Sequence, residues 1–166
     1  MLLQPAMVMC RLISGAPSAA IVSAVAELEA ALFPTPWGAD SLLATLTQPG
    51  TLLAIAESEN GSLAAYCIVQ QVLDEATVLQ VATAKAFQRQ GLAQRLCQLC
   101  ENALRTSGCA TLWLEVRAKN AAAISLYERL GFVTAALRKR YYPALPSGEP
   151  EDDARVMRRD LAGQIQ

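Results

Sequence analysis

Residues 79–132 read as strand, glycine loop, helix, strand, helix, and no other stretch restricts the fold of this chain as strongly. A short apolar run, 79–83, breaks at Ala84-Lys85-Ala86-Phe87. Gln88-Arg89-Gln90-Gly91-Leu92-Ala93 then forms a loop that opens a helix. In that helix Leu92, Leu96, Leu99 and Ala103 recur in steps of four, three and four, which places them on one face at the helical period. Gly108 is expected to end it, because helices commonly close on a residue with left-handed backbone. A strand over 111–117 and a helix over 120–130 follow, closed by Gly131-Phe132. The layout is that of a nucleotide-binding half-domain, but its glycine spacing is unusual.

The loop narrows the chemistry. It contains neither G-x-G-x-x-G nor G-x-x-x-x-G-K followed by Ser or Thr, so the dinucleotide and P-loop patterns are both absent. What stands instead is Gln88-x-x-Gly91-x-Ala93, small residues at the mouth of a helix whose first amides lack an acceptor within the helix. Such amides, aided by the helix dipole, bind phosphate oxygens, and Arg89 adds a positive charge. The plain alternative is a strand-to-helix turn with no ligand.

With 166 residues the chain is long enough for one domain with a real core, and a single domain over 1–166 is expected. A net charge of −1 argues against a general nucleic-acid binder. No apolar run reaches the length of a membrane span, and the first cation is Arg11, too late for a secretory leader. A cytoplasmic protein without direct nucleic-acid or membrane partners is therefore expected. Five cysteines, an odd count, argue against a disulfide framework. Cys97-x-x-Cys100 falls within the helix and has no second pair at metal spacing, so both read as small packed residues and no metal is expected. The chain has no histidine, which removes Ser-His, Cys-His and His-metal chemistry. Acid–base work must fall to Glu, Asp, Tyr, Cys or Lys.

Along the rest of the chain, 7–13 reads as a first strand and Ser18 as the cap of a helix buried through Ile21, Val25, Leu28 and Leu32. Phe33-Pro34-Thr35-Pro36-Trp37-Gly38 breaks that helix, and Asp40 is placed to cap a short one running to about Leu46. Strands over 51–56 and 62–73 flank a turn at Ser58-Glu59-Asn60-Gly61, and Asp74-Glu75 turns the chain into the strand before the glycine loop. Beyond Phe132 a strand over 133–137, then the stretch Arg138-Lys139-Arg140-Tyr141-Tyr142-Pro143, a loop from Ala144 to Asp153 ending in an acidic run, and a strand from Ala154 to about Met157 are expected, with fraying from Gly163.

Two residues after the glycine loop have chemistry to offer. Alternation in 111–117 sets Leu112, Leu114 and Val116 on one face and Trp113, Glu115 and Arg117 on the other. A lone Glu in mid-strand is either paired with a cation such as Arg117 or is a general base with a pKa raised by partial burial. On the next helix Asn120, at the N-cap, shares a stripe with Ile124 and Tyr127, so Tyr127 is either core or a phenol aimed at a ligand.

The combination of Q/R-x-x-G-x-G/A after a strand with a helix, a strand and a second helix ending in Leu130-Gly131-Phe132 resembles the GNAT family of acetyl-CoA-dependent N-acetyltransferases. Leu112-Trp113-Leu114-Glu115-Val116-Arg117, leading through Asn120-Ala-Ala-Ala-Ile to Leu126-Tyr127-Glu128, resembles its RimI type, which acetylates the N-terminal alanine of a small-subunit ribosomal protein (bS18-like). The likeness extends to Arg140-Tyr141-Tyr142-Pro143 and to Val72 through Thr77. It implies an α/β fold with a mixed, mostly antiparallel sheet of about seven strands flanked by about four helices.

The resemblance also implies direct transfer from acetyl-CoA, with Glu115 as base and Tyr127 as acid and without a metal. Cofactor contacts would come from the backbone of Val81, Ala82 and Thr83, from Arg89, Gln90, Gly91, Leu92, Ala93 and Gln94, and from Asn120. Phe33, Trp37 and Tyr141 would touch the N-terminal peptide of the ribosomal protein, and the enzyme would act as a monomer. Two departures stand out: Ala93 occupies a position where glycine is commoner, and Ala84-Lys85 replaces a usual Asp-Pro. Two other readings stay open, a GNAT enzyme for another N-terminus, a lysine or a small amine, and a non-catalytic acyl-CoA-binding module.

Overall fold

A computed structural model of the chain describes residues 7–163. They group into two compact units, one of residues up to 69 together with 80–102, the other of 70–79 together with 103 onward. In chain order the elements are β1 (Val8–Leu12), α1 (Ala19–Leu32), α2 (Ala39–Leu46), β2 (Thr51–Ser58), β3 (Leu63–Val72), β4 (Glu75–Thr83), α3 (Leu92–Thr106), β5 (Thr111–Arg117), α4 (Ala121–Arg129), β6 (Val133–Tyr142) and β7 (Asp152–Asp160). The seven strands follow the order β1-β2-β3-β4-β5-β7-β6. This is the mixed sheet with four helices expected from the sequence.

In the first unit β1 lies antiparallel to β2, with Cys10 opposite Ala56. The core here comes from the middles of β2 and β3, where Ala54, Ile55 and Ala56 and all of Ala64 to Val69 are sealed from solvent. Ser18 caps α1, its hydroxyl accepting the Ile21 N–H at 3.3 Å. Ser18→Ala should therefore cost about 1 kcal/mol of stability, measurable as a lower urea midpoint with an unchanged slope.

Two helical faces differ from those expected. In α1 the buried residues are Val22, Val25, Leu28 and Glu29, whereas Ile21 and Leu32 are only half-buried. The buried stripe thus includes a carboxylate, which an apolar count passes over. In α3 the buried positions include Leu92, Leu96, Cys97, Cys100, Glu101 and Leu104, with Leu99 and Ala103 half-buried. Cysteine packs as a small apolar residue, so the face centres on the cysteine side of the helix. Cys67 of β3 lies against Cys97 and Cys100. Hydrogen bonds with Cys100 and Cys97, and burial after them, push its thiol above the ordinary range. All five cysteines are free.

Asp40 is not a cap. Leu42 N–H bonds to the Gly38 carbonyl at 3.0 Å, so Gly38 is the N-cap of α2 and Asp40 sits in its first turn, where a carboxylate favours the helix dipole.

In the second unit β4 and β5 run parallel, with Glu75, Ala76 and Thr77 opposite Thr111, Leu112 and Trp113. β7 lies antiparallel to β5, pairing Leu114 with Met157 and Glu115 with Val156. α3 closes through Gly108, whose φ of +81° lets the chain reverse so that Cys109 N–H reaches the Leu104 carbonyl at 2.9 Å. Two expectations change at the C-terminal end. β6 continues through Arg138 to Tyr142, with irregular register between Arg138 and Tyr142, and Asp152 and Asp153 open β7 rather than closing a loop. Cross-strand pairing supplied by β7 extends both strands, a tertiary effect invisible in local composition. Of the stretch expected to fray, Gly163 is in a turn and 164–166 lie outside the described residues.

Candidate active site

The first unit holds the end of β4 and the mouth of α3. After β4 a single 3-10 turn, Lys85–Phe87, occupies the place of the missing Asp-Pro, with Phe87 N–H bonded to the Ala84 carbonyl at 2.8 Å. The Gln88 amide donates to the Thr83 carbonyl at 3.1 Å, tying the loop to the strand end. Arg89 and Gly91 both have left-handed backbone, φ 62° and 73°. Residues of this conformation amid right-handed neighbours turn successive N–H groups toward one side and make an anion-binding concavity. The Arg95 N–H bonds to the Gly91 carbonyl at 3.1 Å, so Leu92, Ala93 and Gln94 hold the amides that precede the first helical bond. A Cβ on Gly91 would meet no atom within 4 Å. Nothing in the protein crowds this glycine, so its smallness serves backbone conformation and whatever approaches from outside.

The same unit holds Phe33 and Trp37, both half-buried, on the loop between α1 and α2. Phe33 N–H bonds to the Glu29 carbonyl at 2.9 Å, and Trp37 N–H donates to Glu29 Oε2 at 3.2 Å.

The second unit holds Glu115, Tyr127, Asn120 and Tyr141. Leu112, Leu114 and Val116 are buried and Glu115 is exposed on the opposite face of β5, as the alternation requires. Glu115 is ion-paired: Arg138 Nη1 donates to its Oε1 at 2.7 Å. The pairing foreseen with a cation is thus present, and the partner is Arg138 rather than Arg117. Arg138 also lies over the Tyr141 ring, 4.0 Å from its centroid, and Arg117 lies over Tyr142 at 4.5 Å. The two rings meet edge-on at 5.1 Å. Burial first, and then the charge of Glu115, raises the Tyr142 hydroxyl above its usual range. Arg138 and Tyr142 had no role assigned from sequence. Both lie on β6, two strands from β5 in the sheet, a neighbourhood that only strand pairing reveals.

Asn120 caps α4, its Oδ1 accepting the Ala123 N–H at 3.2 Å. It also lines a cleft of about 380 Å³ with Arg117, Lys119, Glu149, Pro150 and Asp152. Tyr127 is buried, its ring edge-on to Phe132 with centroids 5.7 Å apart. The acidic run divides. Asp152 is buried and accepts the Lys119 N–H at 3.1 Å, and Asp153 accepts the Arg140 N–H at 2.8 Å and pairs with Lys139 at 3.2 Å. The Arg140 amide, and Lys139 after it, hold the Asp153 carboxyl below the usual range. These two are structural, leaving Glu149 and Glu151 exposed.

A seven-stranded mixed sheet whose fourth strand leads through a small-residue loop into a helix mouth is the arrangement of the GNAT class. Residues 22–132 match the Acetyltransferase (GNAT) family, and the chain belongs to it. It is 50% identical over 100 residues to the [ribosomal protein bS18]-alanine N-acetyltransferase of Escherichia coli K12, a match that covers 60% of this chain and 66% of that protein's length. It is 40% identical over 126 residues to the protein of that name in Haemophilus ducreyi, covering 76% of this chain and 85% of the relative. The crystal structure of the ribosomal-protein-S18-alanine N-acetyltransferase from Escherichia coli superposes with a TM-score of 0.80 at 36% identity, over 95% of this chain and 99% of that one. No helix among the described residues is long and apolar enough to cross a membrane.

Proposed function

We propose that this chain is a single-domain enzyme that transfers the acetyl group of acetyl-CoA to the N-terminal alanine of a bS18-like ribosomal protein. It would act in the cytoplasm as a monomer, with neither metal nor nucleic acid. The observation that carries the reading is the 40% identity to a bS18-alanine N-acetyltransferase across 85% of that relative's length. β3, β4 and α3 each run unbroken from one compact unit into the other, which supports reading the chain as one domain.

The residues fit acetyl-CoA. The amides of Leu92, Ala93 and Gln94, with Gly91 and Arg89, have the donor set and open approach that a pyrophosphate needs. Gln90 completes the loop, Asn120 offers its amide nitrogen while its oxygen caps α4, and the backbone of Val81, Ala82 and Thr83 would hold the pantetheine arm. The co-substrate supplies an acetyl thioester, whose carbonyl those amides would polarise.

Glu115 would take a proton from the acceptor's ammonium. An α-ammonium has a reference pKa of about 7.7–8.0, against about 10.4 for lysine, so an N-terminus needs only a modest base. Arg138 now occupies that carboxylate, and an incoming ammonium would replace one cation with another, keeping Glu115 neutralised throughout. The nitrogen–carbon bond then forms as the carbon–sulfur bond breaks, Tyr127 would give its hydroxyl proton to the departing sulfur, and the remaining proton shed by the acylated nitrogen would pass by way of water to restore the Tyr127 hydroxyl. Phe33, Trp37 and Tyr141 would line the path of the peptide.

The test is thiol release from acetyl-CoA with a peptide beginning Ala-Arg, run beside its N-terminally blocked counterpart. Turnover confined to the free terminus is expected. Equal turnover with the blocked peptide would move the acceptor to a side chain, and silence with both, despite tight acetyl-CoA binding, would sink the choice of acceptor and favour a binding module.

A further inference from the structure

Glu29 is fully buried, yet it belongs to none of the chemistry above. Both of its carboxylate oxygens are used. Oε1 accepts the hydroxyl of Tyr66, itself fully buried on β3, and Oε2 accepts the Trp37 N–H at 3.2 Å. Burial, with Glu29 beside it, pushes the Tyr66 hydroxyl well above the ordinary tyrosine range, so Tyr66 remains a donor.

Stability alone does not ask for a carboxylate at this point. Val22, Val25 and Leu28 form the rest of the buried stripe, and an apolar residue would complete it without desolvating a polar group. What Glu29 adds is a hold on the next loop. Pro34 and Pro36 have no N–H, so Phe33 to Trp37 carries three such groups, those of Phe33, Thr35 and Trp37. Two of the three go to residue 29: Phe33 to its backbone carbonyl and Trp37 to its side chain. The loop is thereby fastened at both ends to one residue, and its two ends are the two aromatic residues read above as peptide contacts.

We infer that Glu29 is a positioning residue for acceptor recognition, fixing Trp37, and with it the loop 33–38, from beneath. The inference rests on the functional reading for its peptide but not for the hold itself. The two are tested together in a Trp113→Phe background, which leaves Trp37 as the sole tryptophan.

The decisive variant is Glu29→Met with Tyr66→Phe. It replaces both buried partners by apolar groups of similar shape, which is close to neutral for folding, and leaves the Trp37 N–H without its acceptor. Trp37 emission should shift to the red and its anisotropy fall, and KM for the Ala-Arg peptide should rise about tenfold or more with KM for acetyl-CoA unmoved. Glu29→Gln should recover most of the loss, because its amide can accept from Trp37 and donate to Tyr66. A purely structural role would lower the amount of active enzyme and kcat, and leave both KM values alone. Unchanged Trp37 emission in the double variant would overturn the hold, and shifted emission with an unmoved peptide KM would overturn its part in recognition. If the parent protein does not turn the peptide over, the functional reading falls, and the emission result alone decides whether Glu29 holds the loop.

Discussion

Glu115→Gln is expected to lower kcat/KM for a peptide with a free N-terminus by about 10²- to 10⁴-fold, while KM for acetyl-CoA stays close to that of the parent. Glutamine keeps the shape of the side chain on β5 and cannot take a proton, so the change removes one function. It also breaks the 2.7 Å pair with Arg138, whose side chain is 51% exposed and that of Glu115 31%. A pair so open to water contributes little to stability, far less than the roughly 2.7–5.5 kcal/mol that the rate loss represents. Melting temperature and rate should therefore separate, the first nearly constant and the second collapsed. The residual rate should climb with pH through the acceptor's own pKa, about 7.7–8.0, because a variant without a base must wait for amine that is already neutral. A loss below tenfold with a parental pH profile would remove Glu115 from the chemistry and leave it as the partner of Arg138.

The second large effect is expected at Gly91. Its φ of +73° lies where a β-branched residue is strongly disfavoured, and no protein atom lies within 4 Å of the position a Cβ would take. Gly91→Val should thus do two things. It strains the loop by roughly 1–2 kcal/mol, and it places a branched side chain over the amides that open α3. If those amides bind the pyrophosphate, acetyl-CoA affinity should fall about 100-fold, equivalent to about 2.8 kcal/mol, as measured by calorimetric titration with CoA. Gly91→Ala should lie between parent and Val. A Val variant that binds CoA normally, with only a lower melting temperature, would reduce this loop to a strand-to-helix connection.

Arg89 offers an internal comparison. It shares the left-handed backbone, at φ 62°, without being a glycine. Strain of this kind at a non-glycine residue persists only where surrounding structure enforces it, and the Gln88 bond to the Thr83 carbonyl is one such constraint.

The extent to which the site could be read in advance follows the range of the forces involved. Loop, helix mouth and helix caps are local, set by backbone freedom at Gly91 and Gly108 and by side chains reaching two or three residues along the chain. Ser18 and Asn120 were therefore identifiable as caps from sequence. The alternation of β5 is local as well, and it put Glu115 on the right face. Its partner was not local: Arg138 is 23 residues away and reaches Glu115 through β7, the strand between them in the sheet. The same pairing carried the strand expected to end at Leu137 on to Tyr142 and took Asp152 and Asp153 out of the solvent-facing acidic run.

The stripe of α1 shows the same boundary most clearly. Its period and its cap were written in the sequence, because a helix of this length is dictated by residues within one turn of each other. Which residue completed its buried face was decided by Tyr66 on β3, 37 residues away, and by the Trp37 amide. A carboxylate is tolerable inside a protein only when donors arrive to meet it, and donors from distant segments arrive only when the chain has folded.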